Sequence, residues 1–337
     1  MNCASIVALV AGRRHTLLQL PKHHTALSQS GILSTLANVR IRNFNWSDLD
    51  TLQHLLNEAG RHGHRDWPSN SNDLRSELEF PRVKPEQNIA LAMAGSEAVG
   101  YAIVEPESNI GRSVIGLGSS LVGLATRNQL LEWAMDRAKT EAPIAHLSTR
   151  DNESELEKLI DQFGWKKVRK YLKLVASAEL IPAPAVMPEG FSARTMLGLD
   201  EVPELTYLQN SAFSEHFGYS PNTEDEISAR LTAADSNIDD VVMIHDANEQ
   251  LVAYCWTQVQ DRAGSKVGRI GMTGVLPTAR KKGLGRAIAE VGYNRLLTRN
   301  VDSVELDVDS VNAPAIKVYS SMGFERSSEV NWWRRSL

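Results

Sequence analysis

The chain repeats one order of segments on either side of a proline-rich stretch. Apolar runs centred on a tyrosine stand at residues 98–104 and 251–257, and a Phe-Gly-Trp at 163–165 corresponds to a Met-Gly-Phe at 322–324. Between the halves, residues 181–190 hold three prolines, which oppose a helix or a central strand. An internal repeat of this kind predicts two modules of one fold rather than a single large core.

The segments of each half predict an α/β (α+β) fold. Each half begins with a short strand and a capped helix entry and ends in a candidate terminal strand. These segments lie at 39–42, 46–50 and 171–175 in the first half and at 191–194, 199–202 and 330–334 in the second. We therefore predict an N-terminal extension over residues 1–37, a module over 38–180, a linker over 181–190 and a second module over 191–337.

Composition narrows the class of protein. The formal net charge of −5 argues against a general nucleic-acid binder, and no apolar run approaches the roughly 18 residues that span a bilayer. We therefore expect neither a nucleic-acid partner nor a membrane partner. Cys3 and Cys255 are too few and too far apart for a disulfide framework or a cysteine metal site, and they predict a cytoplasmic protein without a metal. Residues 1–37 contain no Asp or Glu, and we interpret them as a disordered extension, with an organelle transit peptide as the alternative.

The strongest chemical signal is a basic turn punctuated by glycines. An apolar run at 270–276 leads through Pro277 to Arg-Lys-Lys-Gly-Leu-Gly-Arg at 280–286, and an apolar periodicity then predicts a helix over 284–298. Glycines let the backbone approach an anion, and the first turn of a helix offers unpaired N–H groups and a partial positive charge. The turn therefore predicts a phosphate-binding site.

Two motifs resemble those of the GCN5-related N-acetyltransferase (GNAT) superfamily. Arg280-x-x-Gly283-x-Gly285 is similar to the superfamily's turn for the pyrophosphate of acetyl-coenzyme A. After a candidate strand at 303–308, residues 312–324 resemble its Asn-x-x-Ala-x-x-x-Tyr-x-x-x-Gly-Phe motif in order and spacing. The resemblance implies that each module is a mixed, mostly antiparallel sheet flanked by helices.

The tandem layout, from about residue 39 onward, resembles the two-domain acetyltransferases of which mycothiol synthase is a member. Residues 122–128 of the first module have neither the basic cluster nor the Gly-x-Gly turn, so we expect acetyl-coenzyme A in the second module only. The resemblance implies acetyl transfer to the primary amine of a small molecule by direct attack in a ternary complex. It also implies a monomer or a homodimer.

The resemblance further implies a set of coenzyme-binding residues. In the superfamily the pantetheine arm lies between two splayed strands, where backbone groups of Gly274 and Val275 are expected to pair with it. The other expected positions are those of the turn and the first residue of the second motif, namely Arg280, Lys281, Lys282, Gly283, Leu284, Gly285, Arg286 and Asn312. For the cations of the turn, solvated helix-end charges are the alternative interpretation.

Acetyl transfer to an amine requires an acid for the leaving thiolate. Tyr319 is the candidate, because a helix capped at Asn312, with Pro314 in its first turn, places it two turns along. A phenol of pKa roughly 10 stays protonated at neutral pH and is able to donate. A core-edge tyrosine packed on Phe324 is the alternative.

The base that deprotonates the amine is left open between two places in the sequence. Glu215 and His216 lie in a phrase, residues 208–218, that is similar to the acceptor-side helix of the tandem proteins. Glu305 and Asp307 are substitutes on the next strand, where they share one face with Asp309. Solvated surface carboxylates are the alternative interpretation of that strand.

The chain departs from the mycothiol-synthase pattern at the strand before the turn. Related sequences tend to have a glutamate near the start of that strand, and this chain has Arg269. The departure keeps two alternatives open, a catalytically weak acyl-coenzyme-A-binding regulator or scaffold, and mycothiol-synthase-like acetylation of an amino-sugar conjugate. Acetylation of protein N-termini or lysines is a third, although a second module favours a small enclosed acceptor.

Overall fold

The computed structural model describes residues 39–59, 70–80, 83–119, 124–151, 153–179, 185–233, 236–262 and 264–337. The predicted extension over residues 1–37 and residues 181–184 of the predicted linker lie outside the described residues. Among the described residues, no helix is both long and apolar enough to cross a membrane.

The described chain contains twelve strands and nine helices. The strands are β1 (Val39–Asn43), β2 (Ile89–Ala94), β3 (Glu97–Glu107), β4 (Arg112–Ser119), β5 (Ile144–Arg150), β6 (Lys166–Ser177), β7 (Phe191–Thr195), β8 (Val241–Asp246), β9 (Leu251–Arg262), β10 (Ser265–Val275), β11 (Ser303–Asp309) and β12 (Glu325–Ser336). The helices are α1 (Leu49–Ala59), α2 (Ser71–Leu78), α3 (Pro85–Asn88), α4 (Leu124–Lys139), α5 (Ser154–Gln162), α6 (Val202–Phe213), α7 (Glu224–Leu231), α8 (Leu284–Leu297) and α9 (Ala313–Ser321). This mixed α/β content, with mostly antiparallel pairing, confirms the predicted fold class.

The described residues form two compact units. The C-terminal unit comprises Val168–Asn331, and the N-terminal unit comprises the described residues up to Lys167 together with Trp332–Leu337. Most of β6 therefore belongs to the C-terminal unit, although it precedes the proline-rich stretch where the sequence predicted the division. The reason is strand pairing, because residues 171–177 of β6 form an antiparallel ladder with all of β11.

The sheet of the C-terminal unit has the order β6-β11-β10-β9-β8-β7. All of its neighbours are antiparallel except β10 and β11, which are parallel. Residues of β9 serve two separate cores, since Val252, Ala253 and Cys255 pack with α8 and α9, and Tyr254 and Trp256 pack with α6 and α7. One pair of helices therefore covers each face of the sheet.

The sheet of the N-terminal unit follows the same plan in the order β1-β2-β3-β4-β5. Its β4 and β5 are parallel, and the other neighbours are antiparallel. Helices α4 and α5 pack on one core, and α1 and α2 pack on the other. Each unit thus has a set of hydrogen-bonded strands with helices on both faces, in line with the predicted internal repeat.

Local sequence signals set the helix boundaries. Asn312 caps α9 by accepting from Ala315 N at 3.2 Å, as the sequence predicted, and Pro314 lies in the first turn, where its missing N–H costs nothing. Helices α9 and α5 both end in a Schellman motif, in which Phe324 N donates to Tyr319 O and Trp165 N donates to Ile160 O. These shared endings explain the Gly-aromatic pair that recurs near the end of each half.

Candidate active site

The site begins where β10 and β11 stop pairing. Their parallel ladder runs only from Val267–Ser303 to Ile270–Leu306, although both strands continue beyond it. At the same point the ladder between β10 and β9 shifts register, so that Gly271 is an extra residue between Ile270 and Met272. A bulge of this kind bends the strand. The sequence therefore builds a split between two strands at the centre of the sheet.

At its C-terminal end, β10 pairs with β9 along one edge, and the other edge of its backbone faces the split. Leu276 N donates to Val252 O on β9 at 2.9 Å, so the alternation of a strand turns the N–H and C=O groups of Val275 and Thr273 to the other edge. Gly274 faces β9 instead. Its lack of a side chain has a packing reason, because a Cβ there would lie 2.5 Å from the Tyr254 ring and 3.0 Å from Ala212 Cβ.

The basic turn follows β10 and leads into α8. Gly283 occupies the N-cap with a φ of 84°, a left-handed conformation that favours glycine, and it offers no side-chain oxygen to the helix. The first amides of α8, those of Leu284 and Gly285, have no acceptor within the helix. A Cβ on Gly285 would meet no atom within 4 Å. The turn therefore combines N–H groups that have no acceptor within the helix with open space beside Gly285, as an anion site requires.

The cations of the turn already have contacts of their own. Arg280 Nη2 donates to Ala212 O at the end of α6 at 2.9 Å, so this guanidinium holds the turn against a helix C-terminus. Arg286 Nε donates to Glu290 at 2.6 Å, one turn along α8. Lys282 Nζ lies 5.9 Å from the centre of the Phe191 ring. Lys281 has a left-handed φ of 65° and is exposed.

A cavity of about 110 Å³ occupies the split. Its wall comes from β6, the loop between α6 and α7, β10, β11 and α9, and all of these residues belong to the C-terminal unit. They are Tyr171, Phe213, His216, Phe217, Gly218, Tyr219, Ile270, Gly271, Met272, Thr273, Leu306, Asp307, Val308, Asp309, Asn312, Ala315 and Tyr319. The structure thus brings together His216, Asn312 and Tyr319 with Asp307, one of the two substitute bases.

Tyr319 projects from α9 into the wall of the cavity. Its ring meets the Phe324 ring edge-on at 5.8 Å, so the packing role weighed from the sequence accompanies its place at the cavity. Burial raises the pKa of the Tyr319 phenol to about 12, and the neighbouring Thr273 hydroxyl partly opposes this shift. The phenol is therefore protonated at neutral pH and is available as a donor.

His216 and Glu215 are neighbours in sequence with different environments. Burial lowers the pKa of His216, with Asp309 opposing the shift and Arg280 and Arg169 adding to it, so the imidazole is neutral at pH 7 and able to accept a proton. The Glu215 side chain is 84% exposed, points to Arg280 at 3.7 Å and lies outside the cavity wall. The structure therefore brings only one of these two candidate bases to the cavity.

The carboxylates of β11 are buried ion pairs rather than solvated surface charges. Glu305 lies 3.3 Å from Lys173 Nζ and 3.6 Å from Arg269 Nη1, and Asp307 accepts from Arg269 Nη2 at 2.9 Å. Arg269 thus neutralises two carboxylates of the neighbouring strand.

The sequence missed the contribution of β6 to this site. Tyr171 lines the cavity, and Arg169 pairs with Asp309 at 3.0 Å while its guanidinium lies over the Phe217 ring at 5.3 Å. No local pattern marks these residues as functional, because their role depends on which sheet β6 joins. The available signal was that Arg169 and Lys173 stand two residues to either side of Tyr171, which places all three on one face of a strand.

Comparisons with known proteins agree with this geometry. The model of the acetyltransferase (GNAT) family matches residues 203–324. A mycothiol acetyltransferase of Tsukamurella paurometabola is 31% identical over 249 residues, which cover 70% of this chain and 77% of that protein. A mycothiol acetyltransferase of Paenarthrobacter aurescens is 27% identical over 256 residues, covering 74% of this chain and 78% of the relative.

Solved structures share the fold at lower identity. A tandem GNAT protein from the clavulanic acid biosynthesis pathway has a TM-score of 0.68 at 15% identity, covering 89% of this chain and 98% of its own. A GCN5-related N-acetyltransferase from Sphaerobacter thermophilus has a TM-score of 0.66 at 20% identity, and the match covers 88% of this chain and 95% of that protein. Fold, family model and relatives therefore agree, and the chain belongs to the acetyltransferase (GNAT) family as an N-acetyltransferase.

Proposed function

We propose that the protein transfers an acetyl group from acetyl-coenzyme A to the primary amine of a small molecule, within the C-terminal unit. The observation that carries this proposal is the cavity in the split between β10 and β11, whose wall contains both a neutral imidazole, His216, and a protonated phenol, Tyr319. Direct attack in a ternary complex needs an acid and a base beside one space.

The basic turn fits the pyrophosphate of the coenzyme. Its support is the uncapped helix N-terminus, where Gly283 provides no competing oxygen and a Cβ at Gly285 would meet open space. Amides of the first turn of α8 hold the anion in this account, and Lys281 and Lys282 add positive charge. Arg280 acts mainly by holding the turn to α6 through Ala212 O.

The open edge of β10 serves the pantetheine arm and the thioester. Thr273 and Val275, rather than Gly274, turn their N–H groups toward the split, and we assign the pairing to them. Backbone donors fixed in this way stabilise negative charge that develops on a carbonyl oxygen during attack. Gly274 keeps the strand close to Tyr254 and α6.

His216 is the base in this proposal. An ammonium of pKa near 10 must lose its proton before it attacks, and a neutral imidazole is able to accept that proton directly or through one water. Two observations support His216 over the carboxylates. It lines the cavity with a lowered pKa, while Arg269 and Arg169 engage Asp307 and Asp309.

Tyr319 is the acid in this proposal. Because the pKa of the phenol is about 12, it gives a proton readily only to a thiolate that is also strongly basic. Burial also raises the pKa of the nearby Cys255 thiol, which contacts Thr273, to about 12. A coenzyme thiolate in the same dry surroundings would take a proton from Tyr319 at little cost.

A second candidate acceptor is an amino-sugar conjugate. The observation that favours it is the likeness to proteins named mycothiol acetyltransferase, at 31% and 27% identity. Against it stands Arg269, which lies next to the position where the mycothiol-synthase pattern has a glutamate. This residue is 5% exposed and is engaged with Glu305 and Asp307.

Initial-rate kinetics with a panel of amines tests the proposal. The panel contains small alkyl and aryl amines, an aminoacyl glucosamine and a lysine peptide, with release of free thiol as the signal. Intersecting double-reciprocal plots with a small amine are expected, since both substrates must be bound together. Acetyl-coenzyme A binding without turnover of any amine would instead favour the regulator or scaffold.

A further inference from the structure

Side-chain amides hold the loop that carries His216. Residues 214–222 join α6 to α7 and give the cavity wall His216 and its three successors in the chain. Asn210 Nδ2 on α6 donates to Asn222 O at 3.0 Å, and Asn222 N donates to Asn210 Oδ1 at 2.9 Å. One carboxamide therefore satisfies both backbone groups of Asn222, as a neighbouring strand would.

The polar contacts continue from the loop to the bulged strand. Asn222 Nδ2 donates to Gln209 Oε1 at 2.8 Å, and Gln209 Nε2 donates to Met272 Sδ at 3.1 Å. Gln209 is 1% exposed and Asn222 is 7% exposed, so these bonds lie away from water, where breaking them is costly. Met272 directly follows the bulge at Gly271 and lines the cavity. The chain of bonds thus links three parts of the cavity: the loop, α6 and β10.

We propose that Asn210 and Asn222 are positioning residues that fix His216 relative to the reacting groups on β10 and α9. The proposal rests on the proposed role of His216 as the base. Within the loop, His216 N donates to Phe213 O at 2.8 Å and Tyr219 N donates to His216 O at 3.1 Å, which fixes the start of the loop. The Thr223–Glu226 capping box fixes the start of α7. The Asn210–Asn222 pair closes the loop by joining its second end back to α6.

Releasing that end has a defined chemical consequence. The groups that face His216 are Asp309 on β11, Arg280 in the basic turn, Arg169 on β6 and Glu215 in the loop itself. Burial is the largest influence on the imidazole, so a looser loop admits water and moves its pKa up toward the ordinary value. The same loosening misplaces the base, and misplacement by about 1 Å is able to cost on the order of 100-fold in rate.

Asn210→Ala is the variant of choice. The side chain is half-buried on a helix, where alanine is the best helix former, so the fold is expected to survive. We expect kcat/KM for the amine to fall about tenfold to 100-fold, with the KM for acetyl-coenzyme A unchanged within twofold. The NMR titration of the His216 ring, assigned with His216→Gln, is expected to shift toward about 6.5. Asn237→Ala is the matched control, because it removes an asparagine cap of the same unit, at Asp239 N, and should change none of these readouts.

The outcomes separate this proposal from the one it rests on. If Asn210→Ala keeps both the wild-type kcat/KM and the wild-type titration while His216→Gln is inactive, the positioning role is wrong and the base assignment stands. If His216→Gln turns over at the wild-type rate, the base assignment is wrong. Equal losses of affinity for both substrates in Asn210→Ala would indicate general destabilisation and would also overturn the positioning role.

Discussion

In the N-terminal unit the ladder between β3 and β4 runs without a shift from Gly100–Ser119 to Glu107–Arg112, whereas in the C-terminal unit the ladder between β9 and β10 shifts at Gly271. In both units the parallel pairing that follows lasts four residue pairs. The two copies therefore keep the same split between their parallel strands. The cavity described above lies in the copy with the bulge, along the bent strand.

One packing device is common to both units. Tyr101 lies opposite Gly118, and a Cβ on that glycine would lie 2.3 Å from the ring. Tyr254 lies opposite Gly274 in the same way, at 2.5 Å. Since the device is present with and without the basic turn, it belongs to the construction of the sheet rather than to acetyl transfer.

The side chains at the split differ between the units. The last parallel pairs, Ile115–Leu147 and Ile270–Leu306, align β5 with β11, so His146, Ser148 and Arg150 stand where β11 has Glu305, Asp307 and Asp309. The shared Schellman motifs align α5 with α9 and set Ile160 at the position of Tyr319. Ile160 is fully buried in its core. The N-terminal unit therefore has the scaffold of the C-terminal unit without its candidate catalytic side chains.

The largest effect is expected at Tyr319, the candidate acid, which corresponds to Ile160 in the N-terminal unit. Tyr319→Phe removes only the phenol oxygen, and we expect kcat to fall on the order of 100-fold or more, with the affinity for acetyl-coenzyme A retained. Stopped-flow detection of released thiol measures the rate, and calorimetry measures the affinity.

Tyr293→Phe is the matched control for that variant. The Tyr293 ring also meets Phe324 edge-on, at 5.7 Å, but its hydroxyl donates to Ser177 O and lies outside the cavity wall. Its kcat is expected to stay within about threefold of the wild type, because removal of one such bond costs only about 1 kcal/mol of stability. Equal losses in both variants would assign Tyr319 to packing alone.

The next effect concerns His216 and pH. The base acts when neutral, and burial lowers its pKa, so kcat/KM calculated for the neutral amine should fall only below a pH that is itself under 6.5. In His216→Gln, kcat/KM is expected to be about 100-fold lower and no longer to fall at low pH, so that this acidic limb of the pH profile is absent. The phenol pKa of about 12 predicts no loss of rate from Tyr319 up to pH 10. An acidic limb that persists in His216→Gln would point to a carboxylate.

The smallest effect tests the shared packing device. Gly118→Ala and Gly274→Ala each push a methyl group into a buried tyrosine, so each should destabilise its own unit by about 1–3 kcal/mol. Differential scanning calorimetry measures this as a lower Tm. Only Gly274→Ala should also weaken acetyl-coenzyme A binding, since its methyl group lies 3.0 Å from Ala212 Cβ, next to the contact between Arg280 and α6. An equal change in acetyl-coenzyme A binding for both variants would contradict the assignment of coenzyme binding to the C-terminal unit.

The sequence alone predicted the elements whose signals are local. The helix expected over 284–298 is α8 at Leu284–Leu297, and the strand expected over 303–308 is β11 at Ser303–Asp309. The cap at Asn312 was likewise predictable, because the side-chain oxygen of an N-cap residue accepts from the backbone N–H three residues later. Caps, turns and periodicity act within a few residues, so they are visible in one dimension.

Features set by distant partners were not predictable in this way. The alternation of Glu305 and Asp307 indicated one face of a strand, but their burial depends on Lys173 and Arg269 from two other strands. The bulge at Gly271 depends on the register against β9, and no single residue announces it. The residue assignments within the candidate site remain predictions, for which the structure supplies geometry.

We propose that the C-terminal unit binds acetyl-coenzyme A and that the N-terminal unit does not. Isothermal titration calorimetry of the full chain tests it, with Gly285→Asp and its counterpart Ala125→Asp, at an exposed position in the first turn of α4. A Cβ at Gly285 meets no atom within 4 Å, so the aspartate should fold while repelling a phosphate. We predict one site per chain in the wild type and in Ala125→Asp, and no binding in Gly285→Asp. Two sites in the wild type, or binding that survives Gly285→Asp, would contradict the account.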